Sequence, residues 1–217
     1  MKWKGIREDS GYRLIRRDFK YRGKVVSVSQ DHFRFPDGHE ARHDVLHLPP
    51  AVAIVPLLDD GRGGTDVVLV EQFRNSVEGY IHEVPAGILE EGEEPAACAA
   101  RELEEETGYV ASRLTHLATL LPIPGTSAHL MHFYVAEGLS PGRQQLEASE
   151  CLTVKRVPLE ALVDAVLGCV TAPEGSGAPC GCAPTEAPVI VDAKTHIAIL
   201  HVALRRTGKA RAAGGGP

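Results

Sequence analysis

The sequence contains no run of about 18 apolar residues, the length that a membrane-spanning helix requires. Its N-terminus, MKWKGIREDSGYRLIRRDFK, also lacks the continuous apolar core of a secretion signal. These absences argue against a membrane protein and against an exported one. We therefore expect a cytoplasmic protein with no membrane partner.

An excess of positive charge is missing as well. The 217 residues include 23 Lys and Arg against 29 Asp and Glu, which gives a net charge of −6. A protein that chiefly coats nucleic acid carries the opposite sign, so we expect no nucleic-acid partner. Small molecules, metals and proteins remain. The hydrophobic fraction of 43% is ordinary for a chain with a folded core.

A disulfide framework is not expected, because the five cysteines are an odd number in a chain without an export signal. Three of them, Cys169, Cys180 and Cys182, could suggest a soft-metal site, but they lack C-x₂-C spacing and a second ligand pair. Reduced thiols in or near a loop are the simpler interpretation. The role of these three cysteines stays open.

Turn signals and alternating polar and apolar residues predict antiparallel β structure over 11–48, with a bulge or bend near Asp31. The clearest helix is 94–107, because Pro95 suits a first helical turn and Gly108 suits a C-terminal cap. The other elements expected are strands at about 51–58, 65–73, 113–121, 130–136 and 151–157 and helices at about 158–168 and 192–206.

Strands mixed with three helices indicate an α/β or α+β fold. We expect an N-terminal antiparallel β unit over 1–50 and a main domain over 51–206. A segment dense in Gly, Pro and Cys, at about 169–188, is typical of a surface insertion. The tail 207–217 is expected to be disordered.

Three carboxylates share one face of the expected helix. At about 100° per residue, Glu102, Glu105 and Glu106 fall within an arc of roughly 100°. A solvated acidic face is the usual interpretation of such a run. However, like charges four residues apart destabilise a helix, whereas clustered carboxylate oxygens suit Mg²⁺ or Mn²⁺. Arg101 lies one turn before Glu105 and can pair with it.

The residues before and along this helix form a longer motif. The string GILEEGEEPAACAARELEEETGY, from Gly87, matches G-x₅-E-x₇-R-E-U-x-E-E-x-G-U, where U is a bulky apolar residue. The chain thereby resembles the Nudix hydrolase family, with Tyr109 in the last U position as a mild departure. The matching positions are Gly87, Glu93, Arg101, Glu102, Leu103, Glu105, Glu106 and Gly108.

This resemblance implies an α/β/α sandwich that hydrolyses a nucleoside diphosphate linked to a further group. It implies that Glu102 and Glu106 bind a divalent metal, Mg²⁺ with Mn²⁺ as an alternative, and that Glu105 is a ligand or a base for metal-bound water. Ala86 would contribute its main-chain carbonyl. The residues implied to fix the loop and helix behind these ligands are Gly87, Glu93 and Arg101.

Residues outside the motif resemble the ADP-ribose pyrophosphatase branch of the family, above all EQFR (71–74) and EVPAG (83–87). Arg74 would bind a phosphate, although a surface salt bridge is the plainer interpretation. Glu83 could hold substrate, bind metal or balance Arg74. Pro124, followed by Gly125, stands where this branch carries a marker proline.

The N-terminal unit, with Arg42, resembles the part of this branch that is exchanged between subunits and helps to bind adenine, which implies a homodimer. The branch usually has an acidic residue near the position of His129, so recognition of the terminal sugar stays open. In the segment 146–162, the resemblance implies a loop glutamate as general base. Glu150 aligns best and Glu147 is the second candidate; either could instead be a solvated loop residue.

We therefore expect a Mg²⁺-dependent enzyme that cuts ADP-ribose to AMP and ribose 5-phosphate. Hydrolysis of another nucleotide sugar or nucleoside diphosphate derivative is the nearest alternative. A sensor that binds ADP-ribose without cutting it is a further alternative, but every acidic residue of the motif is present. Nine glutamates and one arginine lie between Glu83 and Glu106, a charge of −8, so the rest of the chain carries +2.

Overall fold

A computed structural model describes residues 11–146, 150–168, 188 and 190–214, with side chains as far as 208. By its contacts the chain divides into two units. The first contains the described residues up to Pro50 together with Leu121–Leu130, and the second contains Ala51–Leu120 and the described residues from Met131 onward. Among the described helices, none is both long and apolar enough to cross a membrane.

The first unit is built on a three-stranded antiparallel sheet in the order β1-β2-β3. A turn at Pro36–Gly38 joins β2 to β3, and Gly38 adopts a φ of 91° there. The segment 121–130 joins this unit through the Thr126 carbonyl, which accepts a hydrogen bond from the Leu46 N–H at 2.8 Å. The strands are β1 (Arg13–Arg22), β2 (Ser27–Arg34) and β3 (Glu40–His47).

The bulge expected near Asp31 is found instead on β1, where the register shifts between Leu14 and Arg16 and again between Phe19 and Tyr21. Asp31 keeps regular pairing because its buried carboxylate accepts hydrogen bonds from Arg17 and from Ser29. The extra residues of β1 lie on an exposed edge strand, where a bulge breaks no buried contact. The sheet is irregular as predicted, but the irregularity lies on β1 and not at Asp31 of β2.

The second unit contains a seven-stranded sheet with the order β10-β5-β4-β9-β8, to which β6 adds beside β5 and β7 beside β4. All pairs are antiparallel except β4 with β9. The short strands β6 and β7 were not expected from the sequence. The strands are β4 (Ala51–Asp59), β5 (Thr65–Arg74), β6 (Gly79–Glu83), β7 (Ala86–Ile88), β8 (Tyr109–Leu120), β9 (Met131–Pro141) and β10 (Leu152–Pro158).

Helices cover both faces of this sheet, as the expected α/β/α sandwich requires. The helices are α1 (Pro95–Thr107), α2 (Leu159–Gly168) and α3 (Ala193–Gly214). The central strand β4 is almost entirely apolar because it is buried on both sides. Val52 and Ile54 pack with Leu103 of α1, whereas Ala53 and Val55 pack with residues of α2 and α3.

Helix α1 agrees with the expected span. Pro95 occupies its first turn, and Gly108 caps its end in the left-handed conformation (φ 71°), with its N–H donating to the Glu104 carbonyl at 2.8 Å. Helix α3 continues to Gly214, so the expectation of disorder from residue 207 is not met over 207–214. Arg, Lys and Ala are frequent there, and all three have high helix propensity.

The substitution Gly108→Ala should lower the free energy of unfolding by about 1–2 kcal/mol, because a Cβ is strained at positive φ. The Cβ would also lie 3.3 Å from the backbone N of Gln144. Urea unfolding measures the change. Gly208→Ala is the control, since a Cβ there meets nothing within 4 Å and a helix favours alanine. Equal stability of Gly108→Ala and the wild type would contradict this account of the cap.

Candidate active site

The buried carboxylate of Glu106 is held by the backbone of the strand that leads towards α1. Glu106 is 3% exposed, and the N–H of Ala86 donates to its Oε2 at 3.0 Å. The preceding carbonyl, that of Pro85, accepts a hydrogen bond from the Ile54 N–H at 2.9 Å. The central strand β4, the start of β7 and the last turn of α1 are therefore connected at this carboxylate.

Gly87 allows the chain to pass directly beside the carboxylate of Glu102. A Cβ atom on Gly87 would lie 1.9 Å from the Cδ and Oε1 atoms of Glu102, far closer than atoms can approach. Glu102 is itself only 8% exposed and has little room to move. Any larger residue at position 87 would displace this carboxylate.

Arg101 connects the loop to the acidic face of α1. Its Nε donates to Glu93 Oε1 at 2.9 Å and its Nη2 donates to Glu93 Oε2 at 3.0 Å, while its Nη1 donates to Glu102 at 2.8 Å and to Glu105 at 2.9 Å. The hydrogen bonds from Arg101 lower the pKa of Glu93 to about 2. The same contacts raise the pKa of Arg101. The ionised pair thus fixes the loop against the helix.

Burial opposes the negative charge on the two innermost carboxylates. It raises the pKa of Glu102, against the effect of the adjacent Arg101. Burial also raises the pKa of Glu106 to about 8; the Ala86 N–H and Arg74 act in the opposite direction, whereas the charges of Glu102 and Glu150 add to the increase. Glu150 therefore lies close enough to both residues for their charges to interact.

The three carboxylates that the helix spacing placed on one face differ in their surroundings. Glu102 and Glu106 are buried, but the Glu105 side chain is 38% exposed. Within the part of the chain that the structure describes, no three His, Cys, Asp or Glu side chains are grouped so that they could hold a metal ion. Arg101 contacts one oxygen of Glu102 and one of Glu105, and so holds these two groups itself.

The donor chemistry nevertheless fits a hard divalent cation. Glu102 and Glu106 present carboxylate oxygens, the ligands that Mg²⁺ and Mn²⁺ prefer. Their raised pKa values show that neighbouring positive charge does not fully compensate for their burial. The glycine at 87 keeps the space beside Glu102 free of a side chain. A cation near these oxygens would remove the electrostatic penalty.

Arg74 and Glu83 form an ion pair beside the carboxylates. Val70 of β5 is opposite Glu83 of β6, so Arg74, four residues further along β5, projects from the same face of the sheet. Arg74 Nε donates to Glu83 Oε2 at 2.8 Å, and Arg74 Nη2 lies 2.6 Å from that oxygen. Glu83 is 4% exposed. Both interpretations of Arg74, a salt bridge and a phosphate contact, are compatible with this geometry.

Sequence reasoning missed the residues at the start of α3 that reach this pair. Lys194 Nζ donates to Glu83 Oε1 at 2.5 Å and to Asp192 at 2.9 Å. The Thr195 hydroxyl donates to Asp192 at 2.6 Å and accepts from the Val84 N–H at 3.0 Å. Burial alone would raise the pKa of Asp192, but Lys194 and Thr195 lower it below its ordinary value. The sequence predicted a helix at about 192–206 but no contact between its first turn and Glu83.

Three of the remaining predicted site residues lie in the first unit. Arg42 lies on β3, and Pro124 and Gly125 lie in the segment 121–130 of the first unit. Glu147 lies outside the described residues, as do Cys169, Cys180 and Cys182. Of the remaining cysteines, Cys98 is buried and Cys151 is exposed, and both are free thiols.

His129, the departure from the branch, belongs to the first unit. Its Nδ1 donates to the Pro49 carbonyl at 2.7 Å, so one ring nitrogen serves the unit's own structure.

Comparison with known proteins identifies the family to which the sequence is similar. Residues 47–171 match the NUDIX domain family. The chain is 32% identical over 201 residues to an ADP-ribose pyrophosphatase of Bacillus subtilis (strain 168), a match that covers 92% of this chain and 96% of that protein. It is 51% identical over 94 residues to an ADP-sugar pyrophosphatase of Mus musculus, covering 40% of this chain and 43% of that protein.

A solved structure shares the fold. The crystal structure of an ADP compounds hydrolase matches with a TM-score of 0.74 and 24% identity, covering 92% of this chain and 96% of that chain.

The raised pKa of Glu106 predicts how the metal-free protein responds to pH. The folded protein holds this proton more tightly than the unfolded chain, so its free energy of unfolding should fall as the pH rises from about 4.5 to about 8. Glu106→Gln removes this dependence and keeps an oxygen for the Ala86 N–H. In EDTA, the variant should therefore exceed the wild type in melting temperature by several degrees at pH 8 and by much less at pH 5.

Differential scanning calorimetry across this pH range checks the prediction. Glu104→Gln is the matched control, since it changes the same residue type on the same helix at a partly exposed position. It should retain the wild-type pH dependence. Parallel pH curves for the wild type and Glu106→Gln would show that Glu106 does not carry the effect.

Proposed function

The chain belongs to the Nudix family, as a hydrolase of the ADP-sugar type, and from this premise we propose that it cleaves the diphosphate of ADP-ribose to AMP and ribose 5-phosphate. The observation that carries the proposal is that Arg74 lies near the buried carboxylates. It is close enough to lower the pKa of Glu106. Carboxylates for a cation and an arginine for an anion are thus within electrostatic reach of each other. A diphosphate with a divalent cation needs both.

Mg²⁺ is the cation we propose, with Mn²⁺ able to replace it. Glu102, Glu106 and the main-chain carbonyl of Ala86 would hold it, with Glu105 as a further ligand or as a base. When bound, a divalent ion supplies positive charge to a phosphate group and lowers the pKa of a coordinated water. Arg101 and Glu93 keep the helix and loop in register, and Gly87 leaves the Glu102 carboxylate in place.

Arg74 would bind the diphosphate through its planar guanidinium, which matches phosphate oxygens. Glu83 holds this guanidinium through Nε and Nη2. A second contact to substrate by Glu83 is also part of the proposal.

A loop carboxylate would accept the proton of the attacking water. Glu150 is the first candidate, since its charge acts on Glu102 and Glu106, and Glu147 is the second. As water loses its proton to this base, its oxygen forms a bond to one phosphorus, and the bond from that phosphorus to the bridging oxygen breaks. The bridging oxygen leaves with the other phosphate.

We also propose a homodimer in which the N-terminal unit contributes Arg42, and the segment 121–130 contributes Pro124 and Gly125, to binding of the substrate. Strand β1 supports a dimer, because large apolar side chains are exposed along it. These are Leu14, Ile15, Phe19 and Tyr21. The cytoplasmic location expected from the sequence is part of the same proposal.

A substrate panel tests the reaction. Purified protein is incubated with ADP-ribose, ADP-glucose, GDP-mannose and NADH, with Mg²⁺ or with EDTA, and the products are separated by chromatography. We expect AMP and ribose 5-phosphate from ADP-ribose, at the highest kcat/KM of the panel, and no turnover in EDTA. A higher kcat/KM for another nucleotide sugar would contradict the proposal that ADP-ribose is the substrate. Turnover in EDTA would contradict the proposed metal dependence.

Glu106→Gln should lower kcat by two or more orders of magnitude, because it removes one charge from the metal site but little volume. Circular dichroism should show that the variant remains folded. Glu104→Gln is the control and should keep a kcat within about threefold of the wild type. Near-normal turnover of Glu106→Gln would exclude Glu106 as a metal ligand.

A further inference from the structure

Glu83 is shared between two cations that contact different oxygens. Arg74 uses Nε and Nη2 on Oε2, whereas Lys194 contacts Oε1 at 2.5 Å. The Glu83 side chain is 5% exposed and that of Lys194 is 14% exposed. The Arg74 side chain is 38% exposed, so both contacts are partly buried, and solvent screens them less than it screens surface ion pairs.

The position of Lys194 is fixed independently of Glu83. Its ammonium also contacts Asp192, which accepts hydrogen bonds from the backbone N–H and the hydroxyl of Thr195. The hydroxyl oxygen of Thr195 in turn accepts from the N–H of Val84, the residue after Glu83. The first turn of α3 is therefore attached to both the backbone and the side chain of the strand end that precedes Ala86.

The lysine changes how arginine and glutamate can pair. An isolated arginine and carboxylate favour a two-pronged contact, with one N–H bond to each oxygen. Here Oε1 is bonded to Lys194, so both nitrogens of Arg74 converge on Oε2. This arrangement leaves Nη1 turned away from Glu83.

The charges along this row alternate in sign: Arg74, Glu83, Lys194 and Asp192. Removing the lysine would leave the buried carboxylate of Glu83 and the partly buried carboxylate of Asp192 with Arg74 as the one remaining cation of the row. Arg74 would then be drawn onto both oxygens of Glu83 in the two-pronged contact.

We propose that Lys194 is a positioning residue for the diphosphate: by holding Glu83 Oε1, it prevents Glu83 from capturing the whole guanidinium and keeps Arg74 available to phosphate. The inference rests on the proposed function, in which Arg74 binds the diphosphate. The start of α3 would then contribute to substrate affinity, although Lys194 is 111 residues from Glu83 in the chain.

The test is a mutant cycle on purified full-length protein with ADP-ribose and Mg²⁺. Lys194→Met should raise KM about tenfold and change kcat by less than about threefold, because it weakens a binding contact made before the chemical step. The dissociation constant for ADP-ribose in EDTA, measured by calorimetry, should rise as well. In an Arg74→Ala background, Lys194→Met should change KM by less than about twofold, since its effect acts through Arg74.

Lys155→Met is the matched control. Lys155 lies on β10, its side chain is 43% exposed, and its ammonium lies 3.5 Å from the carboxylate of Glu71. This variant should keep the wild-type KM. Lys194→Arg retains the charge and should restore most of the affinity. Lys194→Gln keeps a hydrogen-bond donor without the charge, and its KM should rise as that of Lys194→Met does. It takes the place of Lys194→Met in the cycle if the methionine variant does not fold.

Two results would overturn the inference while leaving the proposed function intact. The first is an active Lys194→Met enzyme with wild-type KM, even with a lower melting temperature, since this would indicate a purely structural lysine. The second is an equal rise in KM with and without Arg74. A wild type that neither binds nor hydrolyses ADP-ribose would overturn the proposed function and this inference together.

Discussion

Two carboxylates one helical turn apart, Glu102 and Glu106, are buried beside each other at the end of α1. The structure around them is arranged to hold these two like charges together. Glu102 and Glu106 both have raised pKa values, and burial is the largest cause for each. A protein selected only for stability would not retain such a pair, because buried like charges are costly. A bound divalent cation would offset this repulsion, as the proposed reaction requires.

Neighbouring residues keep this unfavourable pair in one geometry. Arg101 joins Glu102 to Glu93 of the preceding loop, and the Ala86 N–H holds Glu106. Gly87 is needed because its backbone runs beside a carboxylate. On the other side, Arg74 is held by Glu83, and Glu83 by Lys194. A preorganised site of this kind avoids the cost of ordering its groups when substrate binds.

Local spacing predicted the parts of the site that lie close together in the chain. The helix 94–107, its caps and the shared face of its acids follow from periodicity, and the motif predicted that Arg101 would link loop and helix. Spacing could not distinguish buried Glu102 and Glu106 from the more exposed Glu105, because burial depends on what packs over the helix. The contact of Lys194 with Glu83 spans 111 residues and follows only from where α3 meets the sheet. The length of α3 was missed because a polar, basic end resembles a disordered tail.

A divalent cation bound by these carboxylates should lower their raised pKa values. Isothermal titration calorimetry of Mg²⁺ binding at pH 7, repeated in buffers with different ionisation enthalpies, measures the protons released on binding. Because Glu106 has a pKa of about 8 without metal, binding should release close to one proton per site, and Glu106→Gln should abolish most of that release. Binding of Mg²⁺ with no proton release would contradict the account.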